Sequence, residues 1–263
     1  MNEPSISAAV AALAEARRTA RAIDPFPTEW MPVDVAEAYR LQRGAATQMG
    51  EIRGWKVAAL TPAQQRALNV PCPIAAPLLL PWVHRSPARL SLKQFVHPRL
   101  ECEFAFELGA DLPVRTEPYT RAEIESAITA LHVVVEVVDS RLPPGASVLL
   151  AVADDFGNGA FVIGPGHRDW RAPDYARHAI ALRARHNGVS RDLANGSGQA
   201  ILDGDPVGAV VILANAQPPG YVGLRSGQIV TTGSCTGAVP VPGPCEAEAD
   251  FGTLGAVHVR FED

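Results

Sequence analysis

The sequence predicts an α+β protein in which a helical N-terminal cap leads into a large mixed β region, and three observations predict it. Helical periodicity and helix-start signals dominate the chain before Val70. Period-two alternation and short β-branched runs take over from about Arg99. Between them, the proline-rich stretch from Val70 to Pro81 marks a boundary. The expected division is a helical region, 1–82, and a mixed β region, 83–263.

In the first region, Ile6, Val10, Leu13 and Ala14 form one apolar stripe. Asp34-Val35-Ala36-Glu37 reads as a capping box ahead of a second stripe, Ala38, Leu41 and Ala45. Thr61-Pro62-Ala63-Gln64 starts a third, short helix, with Thr as the cap and Pro at the first helical position, and Asn69 closes it. Beyond Arg99 one helix interrupts the strands, capped by Thr120 and Glu123, with Ile124, Ile128 and Leu131 on its buried side. Asn187-Gly188 tolerates positive φ and joins Ile180–Arg185 to Val189–Leu193 as a hairpin. Asp205-Pro206 begins a helix over Val207–Ala216, and Ile229–Thr232 and Ala256–Phe261 complete the sheet.

With 263 residues, 47% of them hydrophobic, the chain has enough apolar material for a substantial core. A net charge of -5 with no basic block argues against a nucleic-acid partner, which would demand a surplus of Lys and Arg on one face. Glu3, Glu15, Arg17, Arg18 and Arg21 interrupt the first residues, so no signal-peptide core is read there and a cytoplasmic location is expected. The most apolar later stretch, Pro73 to Val83, is too short to span a bilayer and is broken by Pro77 and Pro81, which argues against a membrane role. Cys72, Cys102, Cys235 and Cys245 contain no C-x-x-C pair, so neither a zinc site nor a disulfide framework is signalled.

The candidate chemistry lies in acidic residues. In Arg99 to Phe106, alternation puts Glu101 and Glu103 on one face of a strand and Leu100, Cys102, Phe104 and Phe106 on the other. Alone, the pair also reads as a solvated face continued by Glu107. Glu136, however, interrupts the apolar run Val133 to Val138, a pattern expected of a strand buried on both sides. A buried carboxylate needs a partner. Either Arg141 supplies it, or Glu101, Glu103 and Glu136 converge on a multivalent cation, for which all-oxygen ligation selects a hard ion such as Mg²⁺ or Mn²⁺.

These residues resemble the hydratase/decarboxylase branch of the fumarylacetoacetate hydrolase superfamily. The resemblance runs through Gly54-Trp55-Lys56-Val57, the E-x-E of Glu101 and Glu103, and Glu136-Val137-Val138-Asp139-Ser140-Arg141. It continues in Ala153-Asp154-Asp155, Asn215, the segment Thr232-Gly233-Ser234-Cys235-Thr236-Gly237, and Leu254-Gly255-Ala256-Val257. It implies the mixed β-sheet or β-roll domain of that superfamily, Glu101, Glu103 and Glu136 as ligands of Mg²⁺ or Mn²⁺, and Lys56 and Asp154 as catalytic residues. It further implies that Lys56, Gly233, Ser234 and Thr236 contact a small 2-oxo acid, that a 2-hydroxydienoate is hydrated at its γ carbon, and that the protein is a homo-oligomer. The segment Val70 to Pro77 carries no acid where this branch commonly has one, and Ala153-Asp154-Asp155 replaces its A-D-N.

The same fold and metal also accommodate a 4-oxalocrotonate-type decarboxylase. A C–C hydrolase of diketo acids would need a base, for which His84 and His97 are candidates, and a paralogue that binds without turnover is the non-enzymatic reading. Cys235 between Gly233 and Gly237, with Asp250 and His258 downstream, mimics a nucleophile elbow, but the prolines after Val239 preclude the helix that an elbow requires.

Overall fold

The computed structural model describes residues 1–263. In chain order its elements are α1 (Glu3–Thr19), α2 (Val35–Met49), β1 (Ile52–Ala58), α3 (Pro62–Leu68), β2 (Ile74–Leu79), β3 (Val83–Arg85), β4 (Ala88–Ser91) and β5 (Arg99–Leu108). There follow α4 (Arg121–Ala127), β6 (Ile128–Val138), α5 (Val148–Ala153), β7 (Asn158–His167), β8 (Ala179–His186) and β9 (Val189–Ser197). The chain ends with α6 (Pro206–Asn215), β10 (Ile229–Ser234), β11 (Val239–Pro240), β12 (Cys245–Asp250) and β13 (Ala256–Glu262).

The strands form an eight-stranded sheet, β2-β1-β10-β5-β6-β7-β3 with β11 beside β5, and a five-stranded sheet, β4-β13-β12-β8-β9. Alternation packs one against the other. Leu100, Cys102, Phe104 and Phe106 of β5 and Val133, Val135 and Val137 of β6 share a single core with Leu182 of β8, Ala247 and Ala249 of β12, and Val257 and Val259 of β13. The intervening residues point to the opposite face of the large sheet, where Ala105, Val134 and Phe161 form a second apolar cluster with Leu78 and Ile229. Helices α1, α2 and α5 build their own core through Ile6, Val10, Leu13, Leu41, Ala45 and Leu150.

Local chemistry explains most boundaries. Thr61 and Gln64 make both halves of a capping box, and Asn69 ends α3 in the left-handed conformation. Asn187 and Gly188 adopt φ 50° and 78°, turning β8 into β9. Asp205 caps α6 through the Gly208 amide. At α2 only half of the expected box forms: Asp34 accepts from the Glu37 amide, while the Glu37 carboxylate takes the Val33 amide and the N-terminal ammonium.

The helix begun at Thr120 is shorter than expected, because Ile128 and Leu131 belong to β6. There the β-branched run pairs with β5 from Leu108 opposite Ile128 onward, and cross-strand pairing outweighs local helical periodicity. The proline-rich stretch contains β2, buried along its length and paired only with β1; an edge strand tolerates Pro77, which has no amide to donate. Strands β1 and β2 therefore lie in the same sheet as β5, β6 and β7. No helix is long and apolar enough to cross a membrane.

Candidate metal centre and its cavity

Antiparallel register places Glu101 directly opposite Glu136, and Glu103 opposite Val134, so all three carboxylates project from the face turned away from the second sheet. One oxygen of each lies within 4.8 Å of the others. Glu136 is 0% and Glu103 2% exposed, so water cannot compensate their charge. Burial, together with the Glu136 charge, raises the pKa of Glu101; burial, Glu136 and Glu101 push Glu103 up to about 8.

Lys56 answers part of this charge. Trp55 faces the core beside it, and Gly54 lets β1 close on β10, since a Cβ there would meet the Ile229 carbonyl at 2.2 Å. Lys56 thus reaches the opposite face, where its Nζ lies 2.7 Å from Glu136 Oε1 and donates to the Phe156 carbonyl at 3.2 Å. Burial alone would lower the Lys56 pKa, but Glu136, Glu101 and Glu103 outweigh it and hold the ammonium charged.

Fully ionised, the three carboxylates exceed the one ammonium by two negative charges, the complement of a divalent cation. Glu136 Oε2 is buried with no hydrogen-bond partner, an orphaned acceptor in the midst of the cluster. The donor set and the orphan fit a hard divalent ion. The alternative ion pair between Glu136 and Arg141 is not formed: Arg141 donates to Asp154, at 3.0 Å from Nε and 2.9 Å from Nη2.

A bulge in β10 shapes the next wall. Register slips between Thr231 and Ser234, and Gly233, at φ 100°, turns its amide to donate to Glu103 Oε2 at 3.0 Å. Ser234 stands opposite Glu103 and lines the cavity, with its hydroxyl beside Glu101, whose carboxylate form it favours. Thr236 lies apart: its hydroxyl accepts from the Cys102 amide and braces β5. The cavity is about 290 Å³ and is bounded by Lys56, Glu101, Glu103, Phe156, Gly233 and Ser234 among others. A larger groove, about 470 Å³, lies on the five-stranded sheet, where Arg183, Arg185 and Arg260 are already paired with Glu246, Glu248 and Asp250.

Several residues expected at the site stand elsewhere. Asp154 does not line the cavity; Arg141 occupies its carboxylate, and both side chains are buried. His84 and His97 are also absent from the cavity wall, so neither is placed as a base over a bound acid. No helix follows Cys235, which is buried with its thiol pKa raised by desolvation, unlike an activated nucleophile.

What sequence reasoning missed is the support behind Glu136. Asn158 Nδ2 donates to Glu136 Oε1 at 2.9 Å, and Arg17 from α1 donates to Asn158 Oδ1 and to Asp155 Oδ2, each at 2.7 Å. Asp155 and Phe156 both hold positive φ, 52° and 49°, and this turn presents the Phe156 carbonyl to Lys56. Their signals were an arginine in an otherwise apolar helical stripe and an Asn heading a strand, neither specific alone. Because Asn158 orients a proposed ligand, Asn158→Ala is expected to weaken Mn²⁺ binding about 10- to 100-fold in a calorimetric titration. Unchanged affinity would make it a packing residue.

The raised carboxylates also set a pH dependence. A pKa raised on folding means that the folded chain holds its proton more tightly than the unfolded one, so stability falls as pH rises between the two values. For Glu103 the window runs from the usual value near 4.3 to about 8, and Glu101 acts in the same direction. The melting temperature of the metal-free protein is therefore expected to decline from about pH 5 to pH 8, with Mn²⁺ removing the slope. A flat metal-free profile would contradict this electrostatic picture.

No family model matches the chain. It is 28% identical over 267 residues to the 2-keto-4-pentenoate hydratase of Burkholderia vietnamiensis, covering 100% of this chain and 99% of that protein. It is 28% identical to the 2-hydroxyhexa-2,4-dienoate hydratase of Comamonas testosteroni, covering 95% of each. Its fold matches 4-oxalocrotonate decarboxylase from Pseudomonas putida G7, solved with magnesium and adipate, at TM-score 0.86 and 22% identity over 100% of this chain and 99% of that one. It also matches fumarylpyruvate hydrolase from Pseudomonas aeruginosa, solved with Mn²⁺ and pyruvate, at TM-score 0.55 and 16% identity, covering 80% and 88%. The resemblance to the hydratase/decarboxylase branch and the fumarylacetoacetate hydrolase type of fold are thereby borne out.

Proposed function

We propose that this chain is a divalent-metal-dependent lyase, a hydratase of the 2-keto-4-pentenoate type that adds water to the γ carbon of a small 2-hydroxydienoic acid. The observation that carries the reading is the convergence of Glu101, Glu103 and Glu136 beside a cavity that Lys56 enters. The names of its full-length relatives support the reaction class.

In this proposal the three carboxylates hold Mg²⁺ or Mn²⁺. An ion held there would supply Lewis-acid stabilisation of the negative charge that develops along the conjugated chain of a bound 2-oxo acid. Lys56 has three N–H donors, of which Glu136 and Phe156 take two, leaving one for a ligand in the cavity. Held as an ammonium, it anchors the carboxylate or delivers a proton. Ser234 brings a hydroxyl to the cavity wall beside Glu101, and the Phe156 ring centroid lies 5.7 Å from Lys56 Nζ. Asp154, clamped by Arg141, serves as scaffold. A cytoplasmic location and, as the resemblance implies, a homo-oligomeric assembly complete the proposal; light scattering reads the assembly.

The test is turnover of 2-hydroxypenta-2,4-dienoate with Mg²⁺ or Mn²⁺, followed by loss of ultraviolet absorbance. Hydration of the dienoate supports the reading. Release of CO₂ from oxalocrotonate without hydration would reassign the chain as a decarboxylase, and binding without turnover of either would identify a non-catalytic paralogue.

A further inference from the structure

The rest of the cavity wall, beyond the acids and Lys56, has a chemistry of its own. Leu60, Leu68, Phe156, Ile201 and Leu202 line it, and its polar side chains, Gln64, Thr232 and Ser234, are uncharged. Ile201 Cδ1 lies 3.5 Å from the position a Cβ on Gly233 would take, so this apolar wall begins directly over the amide that holds Glu103. Leu202 is held at φ 45°, a conformation costly for a branched side chain, and the turn it opens continues through Asp203, at φ 57°, to Gly204. Lys56 is the only cation on the cavity wall, and Glu136 and Phe156 already engage it.

From this we infer that the site, read as above, selects 2-oxo or 2-hydroxydienoic acids with a single carboxylate and an uncharged, apolar distal end, and rejects dicarboxylates. The head carboxylate has the ion and Lys56 for countercharge. A second carboxylate at the far end would be taken from water into a wall of leucine and isoleucine with no cation to meet it, and in the field of Glu101 and Glu103. An alkyl group there instead buries apolar surface, which is favourable. The cavity, about 290 Å³, lies at the small end of ligand pockets and suits a short chain.

The inference rests on the proposed metal site, and the experiment separates the two. Two saturated acids of equal length, 2-oxohexanoate and 2-oxoadipate, differ in the terminal carboxylate alone. Their binding to the Mn²⁺-loaded protein is measured by calorimetry. 2-Oxohexanoate is expected to bind at least roughly tenfold more tightly. Leu68, at the end of α3 and 38% exposed, accepts a longer side chain without disturbing the core. Leu68→Arg is expected to improve 2-oxoadipate affinity about tenfold and to weaken 2-oxohexanoate, whose alkyl end loses part of its apolar wall. Equal or tighter binding of the diacid to the unmodified protein would overturn the inference alone. Failure of both acids to bind in the presence of Mn²⁺ would overturn the reading of the site itself, and the inference with it.

Discussion

Replacing Glu136 with glutamine is expected to abolish divalent-cation binding while leaving the chain folded. Glutamine keeps the shape and an oxygen that can accept from Asn158 and Lys56, the two donors now on Oε1. It removes one negative charge and puts an amide nitrogen where the orphaned Oε2 stands. The loss in Mn²⁺ affinity should exceed about 100-fold, above the range for a mere outer hydrogen-bond partner. Without metal, the variant should melt no lower than the parent, because repulsion among three desolvated carboxylates is relieved. With metal at 100 times the parent's dissociation constant, the parent gains about 2.7 kcal/mol and the variant less than about 0.4 kcal/mol. Retention of parental affinity in a calorimetric titration would refute the ligand assignment.

The second large effect concerns Lys56. Lys56→Met retains the buried stem and deletes the ammonium. If that group delivers a proton or anchors the substrate carboxylate, turnover of the dienoate should fall by about 10² to 10⁴. Metal affinity should stay within about tenfold of the parent, since losing a neighbouring cation favours a second one and offsets the lost positioning of Glu136. The split between turnover and metal binding is the diagnostic feature: a lysine that only supports Glu136 would lower metal affinity and spare turnover at saturating metal.

The site was legible to the extent that it is written in strand alternation. Glu101 and Glu103 flank Cys102 and must share a face, and Glu136 within a valine run must be buried; both statements need only period two. The short caps at Thr61, Thr120 and Asp205 were legible for a similar reason, since their hydrogen bonds close within three residues. Ile128 was read as helical because its spacing from Ile124 fits a helix turn, and only the presence of β5 alongside makes it a strand residue. The role of Asp154 is implied by the resemblance alone, whereas its partner in the structure depends on Arg141 folding back onto it across the turn.

By itself, the sequence determined that two acids lie together on one strand face, that a third is buried, and that a helical start gives way to strands. Those properties follow from the fixed periods of backbone geometry, which act over a few residues. Tertiary structure decided that Glu101 and Glu136 stand opposite each other, that Lys56 rather than Arg141 answers them, and that Arg17, 138 residues from Asp155, braces the centre through Asn158. A buried charge is stabilised by whichever countercharge the packing brings within hydrogen-bond reach. That choice depends on strand order and register, which span the whole chain.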